Sequence, residues 1–183
     1  ANFPGWTGRS GVVPNGAYIE YWPALVDSKF IKEHIHVDGK IIDVIPTSQL
    51  NLEEKYYQKI PYENPKISID NLKEDYFGKI FGTRSGDKGG CANLGVWAKS
   101  QEAYSFLFDF LTVKKLKELL PDLEKFEIDR FELPNIYSLN FYVHGILQDG
   151  VSSSTRMDGQ AKSLGEYLRA KKINFPEQLL KQI

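Results

Sequence analysis

Between residues 76 and 175 the apolar pattern switches repeatedly between the period of a strand and the period of a helix. That alternation limits the chain to few layer architectures. Residues 76–83 predict a strand, residues 84–90 a tight loop, and residues 93–98 a short apolar segment. Residues 101–111 predict a helix behind an N-cap at Ser100, with Ala103, Phe106, Leu107 and Phe110 on one side. Thr112 can cap a second helix in which Val113, Leu116 and Leu120 share a face, and Pro121 helps to stop it. In residues 125–133, Phe126 and Ile128 alternate and Phe131 follows, as in a strand that shifts face once. Residues 139–147 put Leu139, Phe141 and Val143 on one face of a strand, with Asn140, Tyr142 and His144 on the other. Met157, Ala161, Leu164, Gly165 and Leu168 make one buried stripe of a helix over 158–172. The order is strand, loop, strand, helices, strand, strand, helix. It predicts an α+β, ferredoxin-like sandwich: an antiparallel or mixed sheet with helices on one face.

Residues 1–75 have a different texture, rich in Pro, Gly, Asn and Tyr. Residues 3–16 should be irregular, and residues 17–25 read as strand-like as far as Pro23. Asp38-Gly39 between two β-rich runs, Glu33 to Val37 and Lys40 to Ile45, predicts a hairpin. Residues 47–75 are polar, carry Pro61 and Pro65, and read as a linker with one short strand at 66–69. The expected organisation is an irregular, hairpin-containing extension over 1–75 and one α+β domain over 76–175. No initiator Met precedes Ala1, so a processed chain or part of something longer is expected. Residues 1–6 show no basic stretch followed by an apolar one, so no secretory signal is expected.

Composition narrows the partners. Net charge is −1 with Lys and Arg spread along the chain, so neither nucleic acid nor an anionic membrane is expected as a partner. No apolar run approaches the roughly 20 residues of a membrane-spanning helix. Cys91 is the single cysteine, which forbids an internal disulfide and suits a reducing compartment. An intracellular location, in the cytoplasm or the mitochondrial matrix, is expected. Aromatic residues make up 13%, which favours packed sheets or aromatic interfaces over a simple helical bundle. The cluster Trp6, Tyr18, Tyr21 and Trp22 is read as an interface for another subunit.

Several residues invite chemistry. In Arg84-Ser85-Gly86-Asp87-Lys88-Gly89-Gly90 the glycines would let backbone amides converge while Arg84 and Lys88 add positive charge, as in a nest for phosphate or carboxylate. It is not a P-loop, because no Lys-Ser or Lys-Thr follows the glycines. The alternative is a turn stitched by Asp87 and Ser85. A second polar set is Asn135, Asn140, Ser152, Ser153, Ser154 and Arg156, which could line a pocket for an acyl or phosphate group together with Asn93. Against it stands a structural account: Asn and Ser close turns, and Arg156 pairs with Asp87 or Asp158. Asp158 is read as a helix cap. His144, the serines and Asp149 share only residue type with a catalytic triad, and no nucleophile elbow is present. His34 and His36 have metal-like spacing on one strand face but no third ligand nearby, so no metal is expected. Cys91 has no His or second Cys close in sequence and is read as a plain small residue. No cofactor is expected.

The run Thr83-Arg84-Ser85-Gly86-Asp87-Lys88-Gly89-Gly90-Cys91-Ala92-Asn93-Leu94-Gly95-Val96 resembles the signature of the C-terminal domain of the acyclic terpene utilisation family. Further likeness follows in order. It comes at Glu132-Leu133-Pro134-Asn135, Leu139-Asn140-Phe141, Gly150 to Ser154 with Arg156, Asp158-Gly159-Gln160, and Lys162 to Leu168. The resemblance covers roughly residues 76–170. Cys91 departs from it, since relatives usually carry Asp or another polar residue there. In that family a larger N-terminal domain precedes this one, and Tyr21 to Val26 looks like its last part. The resemblance implies a link to catabolism of branched terpenoid acids as coenzyme A esters. Two functions are therefore expected. One is an accessory or assembly domain, not itself catalytic, in a homo-oligomer or a hetero-oligomer with a larger subunit. The other is half of an acyl-CoA site of hydratase, isomerase or hydrolase type.

Overall fold

The computed structural model describes residues 24–44, 62, 64 and 66–181. The readings at residues 3–16, most of 17–25 and the aromatic cluster of Trp6, Tyr18, Tyr21 and Trp22 lie outside the described residues. So does most of the linker. The chain divides into two compact units, one of them Trp22–Tyr62 and the other containing Glu63–Ile183.

In the first unit, β1 (Glu33–Val37) and β2 (Lys40–Val44) form the expected antiparallel hairpin. Asp38 and Gly39 make its turn with φ of 48° and 72°, the left-handed values that an Asp-Gly hairpin turn uses. His34 Nδ1 lies 2.8 Å from Asp43 Oδ1 across the strands.

The second unit is built on a four-stranded sheet of β4 (Gly82–Lys88), β5 (Cys91–Trp97), β6 (Ile128–Leu133) and β7 (Ser138–Val143). Its spatial order is β4-β5-β7-β6 and every neighbour is antiparallel. Between β5 and β6 run α2 (Gln101–Phe110) and α3 (Val113–Leu119), close to the expected limits. Ser100 Oγ accepts from the Ala103 amide and Thr112 Oγ1 from the Lys115 amide, so both caps form.

The register sorts the side chains onto two faces. On one face Leu94 lies between Ser85 and Phe141, and Phe141 lies beside Arg130. Ala92, Leu94, Val96, Leu139, Phe141 and Val143 are all fully buried there. Arg130 joins this face to α2: its Nε donates to Leu111 O at 3.2 Å and its Nη2 to Phe108 O at 2.7 Å. One guanidinium thus satisfies carbonyls that the helix end leaves open. At the opposite edge Ser85 Oγ donates to Lys162 O and accepts from the Gly165 amide, at the start of α4 (Leu164–Arg169). Helices therefore cover this face, and the domain is an α+β, ferredoxin-like sandwich, antiparallel throughout its main sheet.

Four local expectations are corrected. Residues 77–80 form one helical turn, α1 (Phe77–Ile80), rather than strand, because Phe77 and Ile80 are both buried three residues apart. Residues 84–88 are strand and not loop: seven register pairs join β4 to β5, and only Gly89-Gly90 turns the chain. The helix expected over 158–172 shrinks to α4. Ala161 has φ of 51° and the Asp158 carboxylate takes the Lys162 and Ser163 amides at 2.8 and 2.9 Å. Met157, placed in the buried stripe, is exposed. The short strand expected at 66–69 lies instead at β3 (Leu72–Tyr76), paired with β8 (Lys172–Pro176), which runs into α5 (Glu177–Leu180). Phe175 of β8 seals the core, with its ring 5.9 Å from Phe81 and 5.8 Å from Phe106.

Candidate functional site

Among the described residues, the other face of the sheet carries no helix. Reading across β4, β5, β7 and β6, its first row is Gly82, Trp97, Ser138 and Leu133. The second is Arg84, Gly95, Asn140 and Phe131, and the third is Gly86, Asn93, Tyr142 and Asp129. A fourth begins at Lys88 and Cys91 and ends at His144, whose amide donates to Glu127 O.

The first row and Phe131 of the second carry exposed apolar side chains. Trp97 is 40% exposed, Leu133 42% and Phe131 51%, with Ile136 at 65% in the turn between β6 and β7. Gly82 is required here: a Cβ on it would stand 2.2 Å from the Trp97 ring, so the indole lies flat across the edge strand.

The middle of the face is polar. Asn93 Nδ2 donates to Asn140 Oδ1 at 3.3 Å. Lys162 Nζ lies 3.1 Å from where a Cβ on Gly86 would sit, and Asn93 Oδ1 4.0 Å from the same point. The lysine thus reaches over the edge strand into the space that glycine leaves. Above Gly95 a Cβ would meet only Arg84 O, at 3.6 Å, so a gap opens between Arg84 and Asn140. Among the described residues, Arg84, Lys88 and Lys162 make no ion pair.

At the far end Cys91 Sγ accepts from the Gly145 amide at 3.4 Å. The hydrogen bond between Cys91 and the Tyr142 hydroxyl pushes that phenol above the ordinary tyrosine range, with smaller contributions from burial and from charge at Cys91 and Asp129. His144 Nε2 lies 2.8 Å from Asp129 Oδ2 and its ring meets Tyr142 edge-on.

The expected site residues are therefore divided. Arg84, Gly86, Asn93 and Asn140 share the open face, and Lys88 stands at its end. Ser85 and Asp87 point to the other side, and Gly89 and Gly90 form the turn. The amides of residues 84–88 follow a strand and do not converge as a nest would. A Cβ on Gly90 would stand 2.1 Å from Gln148 O, so this glycine lets the turn after β7 pack against the hairpin. Asn135 lies in the turn Pro134–Ile136. Ser153 and Ser154 are held in their own turn: both amides donate to Gly150 O, and Ser154 Oγ accepts from the Arg156 amide. Ser152 lies in the same turn. Arg156 lines a shallow pocket of about 380 Å³ with Asp122, Met157, Asp158, Ser163, Leu164 and Tyr167. None of the residues 84–90 lines it. Arg156 makes no ion pair with Asp87 or Asp158 among the described residues. Lys162 joins the face from outside the site residues that the sequence singles out, and the only signal of its approach is Gly86, a glycine inside a strand. Among the described residues no three His, Cys, Asp or Glu converge as a metal site. Nor is any described helix long and apolar enough to cross a membrane.

An antiparallel sheet with helices on one face, and exposed aromatics beside paired amides on the other, defines a ferredoxin-like domain. The model of the AtuA ferredoxin-like domain matches residues 77–174, more than half of the chain, and the chain belongs to that family. No curated protein and no solved structure matches it.

Proposed function

We propose that this chain is an assembly domain of an acyclic-terpene-utilisation-type protein, not itself catalytic, which docks through the open face of its sheet. The observation that carries this is the group of exposed apolar side chains, Trp97, Leu133 and Phe131 on the face that the helices leave free, with Ile136 in the adjoining turn. Groups that could serve catalysis have structural employment. Asp158 caps two amides, Ser85 joins β4 to α4, and Asp129 holds His144. The surrounding activity would be the catabolism of branched acyl-CoA or terpenoid acids, as the family resemblance implies. The test is the native mass of the assembly that contains the full chain, with every polypeptide identified. Phe131→Lys with Leu133→Lys should leave the circular dichroism intact and release the chain from that assembly. A chain that is monomeric at every concentration and carries no partner would overturn the proposal.

A second function attaches to the same face. Arg84, Lys162, Asn93 and Asn140 surround the gap over Gly95 and could hold the carboxylate or phosphate of an acyl-CoA at a seam with a larger domain. Unchanged activity of the complete assembly after Arg84→Ala with Lys162→Ala would remove it.

A further inference from the structure

The open face carries its charges in an ordered way. Cations line the β4 edge: Lys88, Arg84, and Lys162 lying over Gly86. Acids line the β6 edge: Asp129, and Glu127 just before the strand. Apolar groups occupy one end, in the rows of Trp97 with Leu133 and of Phe131.

From this pattern we propose that the face binds a second copy of this chain, sheet against sheet, about a two-fold axis parallel to the strands. The proposal rests on the docking role above and names the partner. Such an axis exchanges β4 with β6 and β5 with β7 while keeping each row opposite itself. Lys88 then faces Glu127 of the other copy, and Lys162 faces its Asp129. Arg84 comes over the exposed Phe131 ring, a cation over an aromatic face. The indole of Trp97, lying across Gly82, comes over Leu133. Asn140 comes over the gap at Gly95. Each contact occurs twice, as an isologous interface requires. A two-fold axis perpendicular to the strands would instead set the Trp97 and Leu133 row against the charged fourth row, which strands apolar groups against ions. Among the described residues the His144 imidazole, 2.8 Å from Asp129 Oδ2, and the Tyr142 phenol lie beside the acid edge. A sheet patch four strands wide and about 20 Å long is small beside the roughly 800 Å² per partner of a standard interface. The dimer should therefore be reversible and concentration-dependent.

A charge exchange between two variants tests the pairing. In a dimer of Lys162→Glu, two carboxylates meet at each of the two symmetric contacts. In a dimer of Asp129→Lys, two amines do. Mixed together, one of each restores opposite charges at both contacts. Sedimentation equilibrium and native mass spectrometry of the full chain should show wild-type dimer near twice 20.9 kDa. Each single variant should dissociate at about tenfold lower dilution or more, and the mixture should recover a one-to-one heterodimer. Association of wild type with neither variant weakened, or no recovery on mixing, overturns this dimer while leaving a docking face in place. A wild type that is monomeric yet held by a different polypeptide through Phe131 and Leu133 overturns it as well. A wild type that associates with nothing overturns both proposals.

Discussion

Two glycines on neighbouring structures show how much one missing Cβ can mean. At Gly90 the obstacle to a side chain is the backbone oxygen of Gln148, 2.1 Å away, which cannot move without the turn after β7 moving too. At Gly86 the obstacle is the far end of the Lys162 side chain, 3.1 Å away, which can swing aside. Gly90→Ala should cost about 1–3 kcal/mol, as overpacking does, and Gly86→Ala less than about 0.5 kcal/mol. Urea midpoints of the two variants check the contrast. Tyr142 gives a prediction in pH. Its hydrogen bond to Cys91 keeps the proton on the phenol, so the folded state holds that proton to higher pH than the unfolded chain does. The stability linked to it is complete below the unfolded value of 10.0 and falls as pH rises from there through the raised folded value. In Cys91→Ala the phenol should titrate closer to that ordinary value, as followed by the Tyr142 ring resonance in NMR.

Elements were legible where their signals are local. The hairpin at Asp38-Gly39, both helix caps and the strands around Phe141 follow from neighbours in sequence. Ser100→Ala should remove about 1 kcal/mol from the unit by unsatisfying the Ala103 amide, visible as a lower thermal midpoint. The misjudged elements share a different cause. The Gly-rich run at 84–90 has a turn composition, yet residues 84–88 lie inside a strand paired with β5, with the Lys162 side chain filling the space over Gly86. The stripe through Met157, Ala161 and Leu164 has helical spacing, yet Asp158 bonds the amides that a helix would use. In both places the deciding partner is a side chain that competes for backbone or room, and spacing alone does not reveal it.

At the scale of the molecule, the α+β unit closes only with its C-terminal strand. Phe175 packs its ring, tilted, against Phe81 and Phe106, and β3 and β8 form a second, two-stranded sheet. Phe175→Ala should cost about 3–5 kcal/mol, as truncation of a fully buried aromatic does, and chemical denaturation of the full chain measures it. The β8 residues alternate exposed and buried only over 172–175, too short a run to stand out from the preceding helix.

The amino-acid sequence by itself determined the layer architecture, the family, the hairpin and the helix caps, because each depends on periodicity or on partners a few residues apart. It also put Arg84, Asn93 and Asn140 among the residues worth watching. Only the tertiary structure decided that they share one open face with Lys162, Trp97 and Phe131, while Ser85 and the Ser152–Ser154 turn serve the scaffold. The physical reason is register: a strand shows its two faces in the sequence, but which residues from four strands meet on one face is set by pairing across long separations.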